Sequence, residues 1–103
     1  MDIRDIARYR GEFFRVLQQT ERSQTAVMTI PGGEDAGPEE THPADQIIYI
    51  VEGEALLRVN GEERRAGAGA LVVIPAGAPH HVRNPGRTPL FLVTVYALSL
   101  IHI

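Results

Sequence analysis

From residue 12 onward the chain offers only short apolar runs, each cut off by Gly, Pro, Asn or Asp. None is long enough, or spaced at the right period, to make a helix of ordinary length. Such punctuation is the signature of short strands joined by turns, and it confines the chain to an all-β architecture. The expected strands are Glu12–Gln18, Gln24–Ile30, Glu39–His42, Gln46–Glu52, Glu54–Asn60, Ala70–Ile74, His80–Arg83 and Leu90–Leu98. Asn60-Gly61, between LLRV and EER, is a type I′ hairpin signal because both residues tolerate positive φ. PGGEDAGP, PAGAP and NPGRTP break the remaining segments. About eight short antiparallel strands predict a sandwich or jelly-roll barrel. Only Asp2–Tyr9 is expected to form a helical turn, with Asp2 as its cap.

The 103 residues suit a single domain over 1–103, and 44% hydrophobic residues supply its core. A chain this short buries a modest share of its surface, so a partner copy would help. The apolar ending LFLVTVYALSLIHI, with Leu98, Leu100, Ile101 and Ile103, points to a homodimer that covers this tail or an N-terminal strand. The net charge of −3 lacks the basic face that nucleic acid requires. All the basic residues are arginine, and cysteine is absent. Schiff-base lysine chemistry, thiol nucleophiles, thiolate zinc sites and disulfides are thereby excluded. Ser23 and Ser99 lie in no nucleophile-elbow pattern. The N-terminus MDIRDIARYR has charges where a leader needs an apolar stretch, and no run could cross a membrane. A cytoplasmic location is the expectation.

Metal chemistry, acid–base chemistry or simple binding remain. The histidines are His42, His80, His81 and His102. Strand alternation places Glu40 and His42 on one face, and a turn at Pro43-Ala44-Asp45 lets Gln46 open the next strand toward the same interior. His80 and His81 are neighbours on a strand, so at most one of them should enter a given cavity. Spacing alone leaves a bland reading open, with His42 on a surface loop, one ring of the pair packed, and EDAGPEE a solvated acidic loop. Phe13, Phe14, Tyr49 and Tyr96 read as core, and Arg58, Arg64, Arg65, Arg83 and Arg87 as solvated.

The run G-ALVVI-P-A-G-AP-H-HVR-N resembles the second motif of the cupins, with Gly69, Pro75, Gly77, His80 and Asn84 matching. The run E-T-H-PAD-Q-IIYIVE-G resembles their first motif, with His42 and Gly53 matching. Glu40 stands where that motif has its first His, and Gln46 where it has its Glu. The resemblance implies a cupin jelly-roll barrel holding one divalent transition metal (Fe, Mn, Ni, Co or Zn) through Glu40, His42, Gln46 and His80. Glu40, as ligand or base, is the implied catalytic residue, and its carboxylate compensates for the charge missing at Gln46. Two functions follow from the resemblance. One is a metal-dependent enzyme acting on a small polar organic molecule, of oxygenase, isomerase or lyase type. The other is a non-catalytic small-molecule binding or sensor module using the same cavity.

Overall fold

The computed structural model describes residues 1–98. The tail residues Leu100, Ile101, His102 and Ile103, on which part of the dimer expectation rests, lie outside them. The strands are β1 (Phe14–Gln19), β2 (Ser23–Ile30), β3 (Asp45–Glu52), β4 (Glu54–Val59), β5 (Glu62–Gly67), β6 (Leu71–Ile74), β7 (His80–Arg83) and β8 (Leu90–Ala97). They form two antiparallel sheets, one of five strands in the order β1-β2-β8-β3-β6 and one of three in the order β5-β4-β7. The architecture is an all-β jelly-roll sandwich. No helix among the described residues is long and apolar enough to cross a membrane.

Alternation sets the interior. In β3 the buried positions are Gln46, Ile48 and Ile50, while Asp45, Tyr49 and Glu52 are exposed. In β8 Leu90, Leu92 and Thr94 face the same way and are buried. Ile30, Ile48, Ile50, Leu57, Ile74 and Leu92 make the main core between the sheets. A second cluster of Leu17, Val27 and Phe91 has Ile6 and Tyr9 packed against it. This explains why both parities of β8 are buried at its start. The covering element is a single 3-10 turn at Ile6–Tyr9, shorter than expected. Its cap is Asp5, whose side chain accepts from the Ala7 N–H; Asp2 instead pairs with Arg4 at 2.8 Å.

The hairpin at Asn60-Gly61 is present, with φ of 51° and 80°, and Val59 pairs with Glu62 across it. Its second strand, Glu62–Gly67, had no hydrophobic signal because nearly every residue in it is exposed. It is an edge strand held by backbone pairing to β4. The expected strand Glu39–His42 does not form. Only Glu40 pairs, in an isolated bridge to His80, and Asp35 makes another to Arg83. Pro38 and Pro43 flank the segment and lack the N–H that would continue a ladder.

Candidate metal centre

The His42 segment is held in place by hydrogen bonds from main-chain N–H groups. The Gly77 N–H donates to the His42 carbonyl at 2.8 Å, and the Ala76 N–H donates to the Asp45 carboxylate at 2.9 Å. These bonds fasten the residues before β3 to the PAGAP turn before β7. On the other side, Glu40 and His80 exchange backbone hydrogen bonds of 3.0 and 2.9 Å. Three side chains from two distant segments of the sequence therefore meet. Glu40, His42 and His80 each offer a ligand atom, and these atoms lie within 4.8 Å of one another.

The three environments differ. His80 is buried, His42 half-buried and Glu40 exposed. The His80 Nδ1 lies 3.0 Å from the Ala78 carbonyl. A carbonyl only accepts, so Nδ1 carries a proton, and in the neutral ring the lone pair is on Nε2. This fixes the tautomer that a ligating imidazole needs. The His42 Nε2 stands 3.4 Å from a Glu40 carboxylate oxygen. The rings of His42 and His80 are 5.0 Å apart, and Tyr96 packs edge-on against His42 at 5.2 Å. Burial raises the Tyr96 phenol above its ordinary pKa of 10.0; a hydrogen bond with Thr94 opposes this, and the nearby Glu40 charge adds to it.

Gln46 occupies the inner face of β3, as the turn at Pro43-Ala44 allows. It is only 7% exposed. Its Nε2 donates to the Thr94 hydroxyl at 3.0 Å, and its Oε1 is buried without a hydrogen-bond partner among the described residues. An orphaned buried amide oxygen costs roughly 1–3 kcal/mol. The cost disappears when a ligand or cation meets it. This oxygen and the two-imidazole, one-carboxylate set suit a divalent cation chemically.

The cluster opens into a cavity of about 600 Å³, a size ordinary for small-molecule sites. Glu40, His42, Gln46 and His80 all line it. So do Phe13, Phe14 and Tyr96, which are expected in the core. Tyr49, assigned with them, is exposed, because it falls on the outer parity of β3. His81 also lines the cavity, contrary to the expectation that only one of the two histidines would. The reason is the Asp35–Glu40 segment, which adds a wall beyond the edge of β7. His81 points to that wall, with its Nε2 3.3 Å from an Asp35 carboxylate oxygen, and takes no part in the three-residue cluster. The Gly37 N–H and then His81 hold the Asp35 carboxyl below its ordinary pKa of 3.8. The acidic loop is thus part of the site, with Ala36, Gly37 and Pro38 in the lining. No sequence signal marked it, since its role comes from pairing with β7. Arg64, Arg65, Arg83 and Arg87 are exposed as expected, and Arg58 is half-buried with Glu39 3.7 Å away.

Asn84, the last residue of the second motif, stays out of the cavity lining. It is 1% exposed, donates from Nδ2 to the carbonyls of Ile30 and Thr88 at 2.8 Å each, and accepts from the Gly86 N–H at 3.0 Å. It joins the end of β2 to the loop that leads into β8.

Comparison with known proteins agrees with this architecture. A solved protein from Thermus thermophilus is 33% identical, superposes with a TM-score of 0.81, and aligns over 95% of this chain and 98% of its own. The mannose-1-phosphate guanylyltransferase ManC of Salmonella typhimurium is 33% identical over 82 residues, which are 80% of this chain and 17% of that enzyme. The uncharacterized protein YrkC of Bacillus subtilis is 30% identical over 104 residues, 94% of this chain and 55% of YrkC. The chain thus spans about a sixth and about half of these two relatives. Residues 26–96, which hold both motifs and the Glu40–His42–His80 cluster, match the Cupin domain family, and the chain belongs to it.

Proposed function

We propose that the chain is a metal-dependent enzyme acting on a small organic molecule, polar at the oxygen atom by which it reaches the cluster, by oxygenase, isomerase or lyase chemistry. The observation that carries this reading is the meeting of Glu40, His42 and His80 on the wall of a cavity large enough for a substrate. A divalent ion there would supply Lewis acidity to a substrate oxygen. His42 and His80 would hold it through neutral imidazoles, with His80 already in the required tautomer. Glu40 would contribute the anionic ligand; exposed and 3.4 Å from His42, it is also placed to take a proton from a bound substrate. Gln46 would be a weak neutral fourth ligand through Oε1.

The alternative is a binding or sensor module that uses the same cavity without turnover. The replacement of an anionic group by Gln46 on the inner face of β3 favours it. Elemental analysis of the purified protein separates the two. A stoichiometric redox metal supports the enzyme, and a metal-free protein carrying an organic molecule supports the binder.

A homodimer belongs to the same proposal. Tyr49, Leu71 and Val73 are 44%, 69% and 61% exposed. They share the outer face of the larger sheet, where Tyr49 pairs with Leu71 and Ile47 with Val73. A contiguous apolar face of this kind is unusual on a lone subunit, and a second copy would cover it. Phe13 and Phe14, at the start of β1, already serve the cavity.

A further inference from the structure

We propose that the cavity selects an uncharged, mainly apolar molecule, of the girth of an aromatic ring, that presents one or two oxygen atoms to the Glu40–His42–His80 cluster. The oxygen end of this proposal rests on the metal-centre reading above. The apolar body rests on the lining alone.

Strand register shows how polarity is distributed over the inner face of the larger sheet. Gln24, Tyr96 and Gln46 pair side by side across β2, β8 and β3, forming one polar row. Four residues further along each strand, Met28, Leu92 and Ile50 form a parallel row, extended by Phe14 on β1. That row is entirely apolar. At 3.3–3.4 Å per residue the two lie roughly 13 Å apart. Ile48 and Thr94 pair between them. From these rows Gln24, Tyr96, Gln46, Met28, Leu92 and Phe14 all line the cavity. Across the cavity Val82 and Pro38 add apolar surface, while Glu40 and His80 bring polar groups. One direction along the strands thus leads from hydrogen-bonding groups to hydrocarbon.

The charges exclude a different class of ligand. No arginine is in the lining formed by the described residues, although the chain has ten basic side chains. The only carboxylate there is Glu40, and any charge on His81 is already matched by Asp35. A molecule with a second charged group at its far end would place that charge against hydrocarbon with no cationic partner, which is costly. Phe13 and Phe14 point the same way. They line the cavity yet are 49% and 43% exposed, an arrangement that an apolar ligand body would cover.

The test uses the full chain with four probes. Acetohydroxamate and benzohydroxamate bind a metal through the same two oxygens and differ only in a methyl against a phenyl group. Calorimetric titration of the cobalt-loaded protein is expected to show benzohydroxamate binding at least ~10-fold tighter, from the added apolar contact. 4-Carboxybenzohydroxamate, which adds a second charge at the far end of the ring, should bind more weakly than benzohydroxamate. The EDTA-treated protein is expected to bind 1-naphthol, and Phe13→Ser with Phe14→Ser should weaken both 1-naphthol and benzohydroxamate at least ~5-fold. Both positions are solvent-exposed, so folding should persist, and circular dichroism checks it. Equal affinities for acetohydroxamate and benzohydroxamate, equal or tighter binding of 4-carboxybenzohydroxamate than of benzohydroxamate, or no 1-naphthol binding would each overturn the proposal. Absence of cobalt uptake with 1-naphthol binding intact would instead defeat the metal-centre reading and support the apolar selectivity.

Discussion

Glu40 and His80 are joined backbone to backbone by two hydrogen bonds, of 3.0 and 2.9 Å, although one lies in an otherwise irregular loop and the other begins β7. This bridge delivers an exposed carboxylate to a buried imidazole. It also makes the Asp35–Glu40 segment a wall of the cavity.

The ligand assignment predicts distinct outcomes for neighbouring histidines. His42→Ala and His80→Ala should each weaken divalent metal binding by more than about 100-fold, beyond the loss typical of an outer partner. His81→Ala should leave it nearly unchanged, because His81 is engaged with Asp35. Metal titrations of the three variants check this; loss confined to His81→Ala would reverse the assignment.

Gln46 and Glu40 form a reciprocal pair of tests. Gln46→Glu should tighten metal binding by placing an anionic oxygen where the unpartnered Oε1 now lies. It should also slow or alter any reaction, since the metal becomes less electron-poor. Glu40→Gln should weaken binding. If neither affinity moves, only the two histidines act as ligands, and the binding-module reading gains.

Alkaline pH should act through Tyr96 in the metal-free protein. Its folded pKa lies above the ordinary value because burial disfavours the phenolate. The resulting stability is fully present below the unfolded value and is lost as pH rises through the folded one. Absorbance at 295 nm should show one late-titrating tyrosine, absent in Tyr96→Phe. At acid pH the direction is opposite for Asp35. Its contribution is present above the unfolded carboxyl value and is lost as pH falls through the lower folded one. Asp35→Asn should remove that part of the acid transition in a urea-melt series.

Two glycines of similar backbone shape should respond differently to alanine. Gly53 has φ of 89°, and a Cβ there would come within 2.6 Å of the Pro89 carbonyl oxygen. Gly61 has φ of 80° with open space around it. Gly53→Ala should cost about 2–4 kcal/mol, adding steric overlap to backbone strain, and Gly61→Ala about 1 kcal/mol. Chemical denaturation measures both.

The dimer is expected to depend on the outer face of the larger sheet. Leu71→Lys with Val73→Lys should shift the protein to a monomer by light scattering without changing its circular dichroism. A monomeric parent at micromolar concentration would remove the basis for this assignment.

Much of this protein is written locally. The Asn60-Gly61 turn, the alternation of Gln46, Ile48 and Ile50, and the placement of Gln46 after a Pro43-Ala44 bend depend on neighbouring residues, so the sequence determines them. The motif around His80 is local as well, and so is the position of Asn84, whose structural role appears only when Ile30 and Thr88 are beside it. Tertiary structure decided everything that needed two distant segments at once. Residues 62–67 became a strand through pairing with β4, since their exposed side chains left no hydrophobic period. Residues 39–42 did not become one, because Pro38 and Pro43 leave room for a single bridge. Phe13 and Phe14 read as core by their chemistry and line a cavity instead, because they open the strand at the edge of its sheet. His81 obeyed strand parity and still reached the lining, since parity describes a strand's two faces and cannot foresee a loop that pairs along its edge.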